Sequence, residues 1–431
     1  MVHRKLRECD AKQLVGRQLS KYCVDNDITD GIRGLFTFPV DDSTNFRHFR
    51  HTGLNLDNER LVLKPDMCFG KRGKHNLVLI NETFEACEKW INSNINTEVE
   101  ISGLKGKLTN FLIERFVPHE KEYYLSLMAD ADGTVIRFST AGGIEVEENW
   151  DKVQQVHVKL DEEIDNTQLK FLLEGVPKVE YDKAVKFIVA LYKMFCNLDF
   201  VLLEMNPWCF DNKGNVVPLD MRAELDDCAY FKNRKEWGEE LKFPPSFGRI
   251  EMPEEKYISE LDAKTGASLK LTVLNPDGCM WTMIAGGGAS VVFADAIVDA
   301  GYGNELSNYG EYSGAPNEEE IYQYAKVVVR LASASRSPRK RKALIIGGGI
   351  ANFTDIRATF KGIAHALLEY SDCLHRAGFK IWVRRGGPNY KEGLKMMKKL
   401  SEETELEIDV YGPEIGLTDV VPMAIAYVEG K

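Results

Sequence analysis

Lys64 stands inside an apolar run, LVLKPD at 61–66, and the loop after it carries Gly70, Lys71, Arg72, Gly73 and Lys74. Glycines let backbone N–H groups come close to an anion and the cations offset its charge, so the pattern suits a phosphate. The GxxxxGK[ST] order of a Walker loop is absent, and a basic solvated turn would look the same. Further on, FLIERFVPHEKEYYL (111–125) ends an apolar run at Val117-Pro118 and places Glu122 just beyond. Backbone groups around Arg115 and Val117 could meet a base there, and Glu122 a sugar hydroxyl, although an ordinary strand end has the same composition. In LEMNP (203–207), Glu204 and Asn206 are two apart and share one face of a strand, and PLDMRAELDD (218–227) returns Asp220 beside them. Oxygen donors converging in this way suit Mg²⁺. Each segment alone has a surface explanation; all three in this order do not.

The second half carries a different set. NYGEYSGAP (308–316), GGGIANFTDIRATFKG (347–362) and RRGGPNY (384–390) each join a glycine turn to polar or basic residues. Helix N-termini after such turns present free N–H groups and the positive end of a dipole, which suits a carboxylate. Asn352 and Thr354 lie at one such start, where capping is the alternative role. Arg384 and Arg385 end a strand beside another glycine turn; alternation along the strand implies that one of the two faces the site. Gly286-Gly287-Gly288 is followed by Ala289-Ser290-Val291. The last glycine of the dinucleotide fingerprint is therefore missing, and an NAD site is rejected.

The elements that must hold these groups divide the chain. Residues 1–245 mix helices with alternating strands: 61–66, 99–117, 123–130 and 134–143 read as strands and 180–197 as a helix. A strand pair follows, turning at Asp211-Asn212-Lys213-Gly214. Residues 246–270, rich in proline and charge, read as a connector. From 271 to 431 a strand, a glycine turn and a helix recur four times, the pattern of a doubly wound parallel sheet whose ligands sit at the carboxyl ends of the strands.

Composition sets limits. The chain has 431 residues, 44% apolar and 28% charged, with a formal net charge of −11, which suits a globular protein of two or three domains. That charge argues against nucleic-acid or anionic-membrane binding. No apolar run reaches the length of a membrane span, and the start, MVHRKLRECD, shows no secretory segment. Nine scattered cysteines without CxxC pairing read as cytosolic thiols. The basic stretch from Arg336 to Lys342 reads as a solvated loop, and His48 with His51 as too poor a ligand set for zinc.

Taken together, the motifs resemble the ATP-citrate lyase family, in particular its succinyl-CoA-synthetase-like half. The resemblance runs from RECDAKQL (7–14) to YGPE (411–414) and is nearest to the separate alpha chain found where the enzyme is split in two. It implies an α/β chain, an ATP-grasp domain followed by a flavodoxin-like CoA-ligase domain. Lys64, Arg72 and Gly73 would contact ATP phosphates, the backbone around Arg115 and Val117 the adenine, and Glu122 the ribose. Asn206 and Asp220 would hold catalytic Mg²⁺ with Glu204 beside them, and Asp262, Thr265 and the Ala267 backbone would form a further metal-binding turn. Gly314, Asn352, Thr354, Tyr370 and Arg385 would bind citrate. The family reaction passes a phosphate from ATP through a histidine to citrate, and CoA then gives citryl-CoA, cleaved to acetyl-CoA and oxaloacetate. None of His119, His365 and His375 follows the glycine-rich turn such a histidine needs. A second subunit in a hetero-oligomer is therefore implied to supply it, together with most of the CoA site. A citryl-CoA synthetase subunit, a succinyl- or malate-CoA ligase beta chain and a non-catalytic regulatory subunit remain as alternatives.

Overall fold

The computed structural model describes residues 3–23, 26–33, 37–44, 46, 59–70, 72–249 and 251–431. His48, His51 and Lys71 lie outside them. Two compact units divide the chain, Met1–Ile250 and Glu251–Lys431.

The first unit contains β1 (His3–Lys5), β2 (Thr37–Val40), β3 (Leu61–Pro65), β4 (Leu79–Glu82), β5 (Glu98–Ile101), β6 (Leu104–Lys107), β7 (Phe111–Arg115), β8 (Tyr123–Asp130), β9 (Gly133–Ser139), β10 (Gln154–Lys159), β11 (Phe200–Phe210), β12 (Val216–Pro218) and β13 (Met221–Asp226). They build a larger sheet in the order β1-β13-β11-β8-β9-β10 with β12 on β11, a four-stranded sheet β2-β7-β3-β4, and the pair β5-β6. All these pairings are antiparallel. Helix α1 (Glu8–Gln18) and helix α2 (Lys178–Asn197) cover the larger sheet. Ala184, Phe187, Ile188, Leu191 and Phe195 repeat at helical spacing along α2 and are buried with Leu203, Met205 and Trp208 of β11. Asp211 closes the β11–β12 turn, its Oδ1 accepting the N–H groups of Lys213 and Asn215. The smaller sheet has its own core, including Leu61, Leu63, Phe84, Phe111 and Ile113.

The second unit is a six-stranded sheet. Its strands are β14 (Ser268–Val273), β15 (Met280–Ala285), β16 (Asn308–Ser313), β17 (Lys342–Gly348), β18 (Phe379–Arg384) and β19 (Glu407–Tyr411), in the order β14-β16-β15-β17-β18-β19. Every neighbour pair from β16 to β19 is parallel, and β14 joins the edge antiparallel. Alternate residues feed two cores: Leu344 and Ile346 face one, Ala343 and Ile345 the other. A sheet buried on both faces in this way is the doubly wound arrangement. Helices α3 (Pro253–Asp262), α4 (Gly287–Ile297), α5 (Glu318–Ala334), α6 (Ile356–Glu369), α7 (Tyr390–Glu403) and α8 (Val420–Glu429) complete it.

Three details differ from the sequence reading. The stretch 246–270 is no simple connector, because α3 and the start of β14 lie inside it and Ile258 joins a core. NYGEYS is a strand, β16, seated next to β15. The basic stretch is not wholly solvated: Lys342 begins β17, buried, over the Phe379 ring, and Arg339 pairs with Glu305. No helix among the described residues is long and apolar enough to cross a membrane.

Candidate functional site

A cavity of about 650 Å³ opens within the first unit, bordered by residues of its two larger sheets and their loops, among them Lys64, Arg72, Glu114, Glu204, Asn206 and Asp220. That volume suits a ligand of nucleotide size. Lys64 pairs across the ladder with Leu112, and Glu114 lies two residues further along β7 on the same face. The register therefore brings lysine and glutamate together.

The cations here are already engaged. Lys64 Nζ lies 2.6 Å from Glu8 Oε1, 2.6 Å from Glu114 Oε1 and 2.6 Å from the Leu219 carbonyl. An ammonium has three N–H donors, so Lys64 has none left for the phosphate contact expected of it. Arg72 Nη2 meets Glu8 Oε2 at 2.7 Å and Asp220 Oδ1 at 2.6 Å, and its Nη1 donates to the Pro65 carbonyl at 2.9 Å. Burial alone would raise the Glu8 carboxyl, but Lys12, Lys64 and Arg72 together hold it well below the usual carboxylate range. Lys64 is held charged by Glu114 and Glu8 against the burial that would neutralise it. Beneath them Asp66, 1% exposed, accepts the Glu8 N–H at 2.8 Å, and burial reinforced by Glu8 pushes its carboxyl up to about 7.

The oxygen donors converge as their spacing requires. The Asn206 N–H donates to the Asp220 carbonyl at 3.2 Å, its Oδ1 accepts the Gly143 N–H at 2.7 Å, and Tyr124 O–H donates to Glu204 Oε1 at 3.2 Å. Asp220 spends one carboxylate oxygen on Arg72 and Glu204 one on Tyr124. Both residues border the cavity, and with Asn206 they make a hard-donor set that fits Mg²⁺. The base-and-sugar edge is arranged differently from expectation. His119 bridges it, with Nδ1 2.7 Å from the Val117 carbonyl and Nε2 3.1 Å from Glu122 Oε1. The Arg115 side chain turns to Glu59 at 3.0 Å. Gly73 lies in a short turn, Gly73–His75, with open space where a side chain would be.

In the second unit the carboxyl ends of β15 to β18 carry the expected turns. Arg385, 6% exposed, donates from Nη1 to the Gly349 carbonyl at 2.6 Å. A Cβ on Gly348 would fall 2.6 Å from that nitrogen, so glycine makes the space Arg385 fills. Arg384 is equally buried but bonds the Gly348 and Ile415 carbonyls; Ile415 packs against one core of the sheet, whereas Tyr312, which acts on Arg385, belongs to the other, so the two arginines turn to opposite faces. Burial depresses the Arg385 guanidinium, with Arg384 adding to this and Tyr312 opposing it. Gly314 turns at φ 73° against Ala267, a conformation and a closeness that only glycine meets without strain. Asn352 and Thr354 sit in the loop before α6 but do not cap it. Asp355 does, accepting the Ala358 N–H at 3.1 Å and Asn389 Nδ2 at 2.9 Å.

Two expectations are not met here. Tyr370 caps the far end of the 14-residue α6, which at 1.5 Å per residue puts it roughly 20 Å along the axis from Asn352, Thr354 and Arg385. The turn at Asp262 does gather its residues, with Thr265 Oγ1 3.2 Å from the Ala267 carbonyl and 3.5 Å from that of Asp262. Yet the Asp262 carboxylate is taken by the Leu269 N–H at 2.7 Å and Lys270 Nζ at 2.6 Å. Only neutral oxygens converge, a poor set for Mg²⁺. In the turn Gly286-Gly287-Gly288 the Glu311 carboxylate lies against Gly287, while Gly286 and Gly288 face open space.

Comparison with known proteins decides the family. Residues 2–237 match the model of the ATP-citrate synthase ATP-grasp domain, and residues 249–427 that of the ATP citrate lyase citrate-binding domain. The chain is 47% identical over 426 residues to ATP-citrate synthase alpha chain protein 2 of Oryza sativa subsp. japonica, covering 99% of this chain and 98% of that one. The chain belongs to the ATP-citrate synthase alpha-chain family. The ATP citrate lyase from Methanothrix soehngenii, solved in complex with citrate and coenzyme A, superimposes with a TM-score of 0.90 at 43% identity, covering 98% of this chain and 100% of that one. ATP-citrate synthase of Mus musculus is 42% identical across 93% of this chain, which spans only 37% of the mouse protein. As an alpha-chain member, the protein has an ATP-grasp first unit and a doubly wound second unit. Sequence reasoning missed Glu8, Lys12, Glu114 and Asp66 in that first unit. Glu8 and Lys12 are four apart in α1, which resembles a surface pair, and only their placement among buried Ala11, Leu14 and Val15 hints at an inward face.

Proposed function

We propose that the chain is the ATP- and citrate-binding subunit of a cytosolic, hetero-oligomeric ATP-citrate synthase. With its partner it converts citrate, ATP and CoA to acetyl-CoA, oxaloacetate, ADP and phosphate. The observation that carries this reading is the cleft of the first unit, where Arg72, Glu204, Asn206 and Asp220 line one cavity. Phosphoryl transfer depends mainly on positioning and charge neutralisation. Arg72 has further N–H donors to turn toward a phosphate, and Lys64 joins it once released from its carboxylates. Mg²⁺ held by Asp220, Asn206 and Glu204 would neutralise phosphate charge. His119 holds the Glu122 carboxylate in place for a ribose hydroxyl.

In the second unit, Arg385 supports a carboxylate-binding edge with Gly314, Asn352 and Thr354. Arginine matches a carboxylate through paired donors, and Asn352 and Thr354 have no side-chain bond among the described residues.

The phosphorylated histidine is assigned to the partner. His119 is tied on both sides, His365 stacks on Tyr322, and His375 faces Glu405. The length that the mouse enzyme has beyond the matched part supports a partner half that carries the histidine and most of the CoA site. The test is calorimetry of the full chain with MgADP and with citrate, then assay for acetyl-CoA with and without the co-purifying partner. Binding of both ligands with product only in the partner's presence is expected; citrate cleavage by the chain alone would refute the assignment.

A further inference from the structure

Two lysines of the first unit bond the same three residues. Lys12 Nζ lies 2.7 Å from Glu8 Oε1, 2.7 Å from Glu114 Oε2 and 3.0 Å from the Leu219 carbonyl. Lys64 Nζ lies 2.6 Å from each of Glu8 Oε1, Glu114 Oε1 and the same carbonyl. Two lysines and two glutamates thus close a ring of charge. The lysines differ in one respect: Lys64 borders the cleft, whereas Lys12 does not and is 1% exposed.

We propose that Lys12 is a positioning residue, the resident counter-ion that keeps Glu8 and Glu114 paired while Lys64 turns its ammonium to a nucleotide phosphate. This rests on reading the cleft as the nucleotide site. Within the ion-paired ring, the three cations Lys12, Lys64 and Arg72 face the three carboxylates Glu8, Glu114 and Asp220. For Lys64 to serve a phosphate it must leave two buried carboxylates. Glu8 would keep Arg72. Glu114 has ion pairs only with Lys12 and Lys64 among the described residues. Without Lys12 it would be stranded, and a buried unpaired carboxylate is strongly unfavourable. Lys64 would then stay where it is. With Lys12 in place, every carboxylate keeps a cation throughout.

The test is titration of the full chain with MgADP. Lys12→Met should weaken binding roughly tenfold or more, the size of coupling found within one buried charge network. Lys12→Arg should bind within about threefold of the unmodified chain, because the charge is retained. Lys12→Met combined with Glu114→Gln should regain most of the loss, since the stranded charge is gone. Glu114→Gln alone loosens the grip on Lys64 and should tighten binding, which keeps the proposal testable if Lys12→Met does not fold. A Lys12→Met chain that binds as the unmodified one, a double variant no better than the single, or a Glu114→Gln chain no tighter than unmodified would overturn the proposal. Absence of MgADP binding by the unmodified chain would overturn the nucleotide reading and this role with it.

Discussion

Replacing Asp66 by asparagine should change the sign of its effect on stability as pH rises. Asp66 is 1% exposed, its Oδ1 accepts the Glu8 N–H, and its Oδ2 has no partner. Burial, with Glu8 adding to it, lifts the carboxyl from 3.8 to about 7 in the folded chain. The folded form therefore binds more protons than the unfolded form between those values. Stability from this group is fully present below the unfolded value and is lost as pH rises through the folded one. At about 1.4 kcal/mol per pH unit, keeping Asp66 charged above pH 7 costs the fold about 4 kcal/mol. The Asp66→Asn variant keeps the Oδ1 acceptor and removes the charge. Its amide nitrogen then lies where Oδ2 had no partner, a penalty of about 1–2 kcal/mol. The net expectation is a variant about 1 kcal/mol less stable near pH 3.5 and about 2–3 kcal/mol more stable near pH 8. Urea unfolding across that range, at fixed ionic strength, should show the transition of the first unit moving while that of the second stays. A difference between variant and unmodified chain that is flat with pH would refute the reasoning.

Three further outcomes follow from the two sites. Arg385→Met should abolish measurable citrate binding in calorimetry and leave MgADP binding unchanged, because its guanidinium is a buried cation at the Gly348-Gly349 turn with no carboxylate partner among the described residues. Asp220→Asn removes a hard oxygen donor and should weaken the Mg²⁺ dependence of ADP binding by roughly ten- to a hundredfold, read by titrating Mg²⁺ at fixed ADP. Tyr370→Phe should leave citrate affinity within about threefold; a larger loss would show that the residue reaches the carboxyl edge of the sheet after all.

What could be read in advance follows the range of the forces involved. Period-two and period-3.6 patterns are local, so α2, β8, β15 and β18 are visible in the chain itself. The meeting of Glu204, Asn206 and Asp220 was also legible, because a short turn at Asp211 leaves one way for the hairpin to return. The partners of Lys64 were not. Glu8, Glu114 and Leu219 come from three distant stretches, and nothing near Lys64 shows that its donors are spent. Tyr370 is a different failure. The length of the helix between it and Thr354 was readable, and the rise of a helix separates its two ends whatever their motif. Asp355 was overlooked as the cap because Asn352 and Thr354 are equally good capping types, and only the geometry of the loop selects among them.

The two units solve the problem of waiting for an anion in different ways, and burial explains why. In the first, three cations lie together behind the cleft, where unpaired charge is strongly disfavoured. Carboxylates from α1, β7 and the β12–β13 turn pair with them, so a phosphate must compete with Glu8 and Glu114 for the donors of Lys64 and with Glu8 and Asp220 for Nη2 of Arg72. In the second, Arg384 and Arg385 are held by the carbonyls of Gly348, Gly349 and Ile415, which satisfy N–H groups without cancelling charge. The positive field therefore persists, and a carboxylate could approach Arg385 without first breaking an ion pair. Nucleotide binding is accordingly an exchange of partners, whereas binding at the second edge adds an anion to a charge that is still unbalanced. An exchange needs a counter-ion that stays behind, and of the described residues around Lys64 only Lys12 touches every group that Lys64 must release.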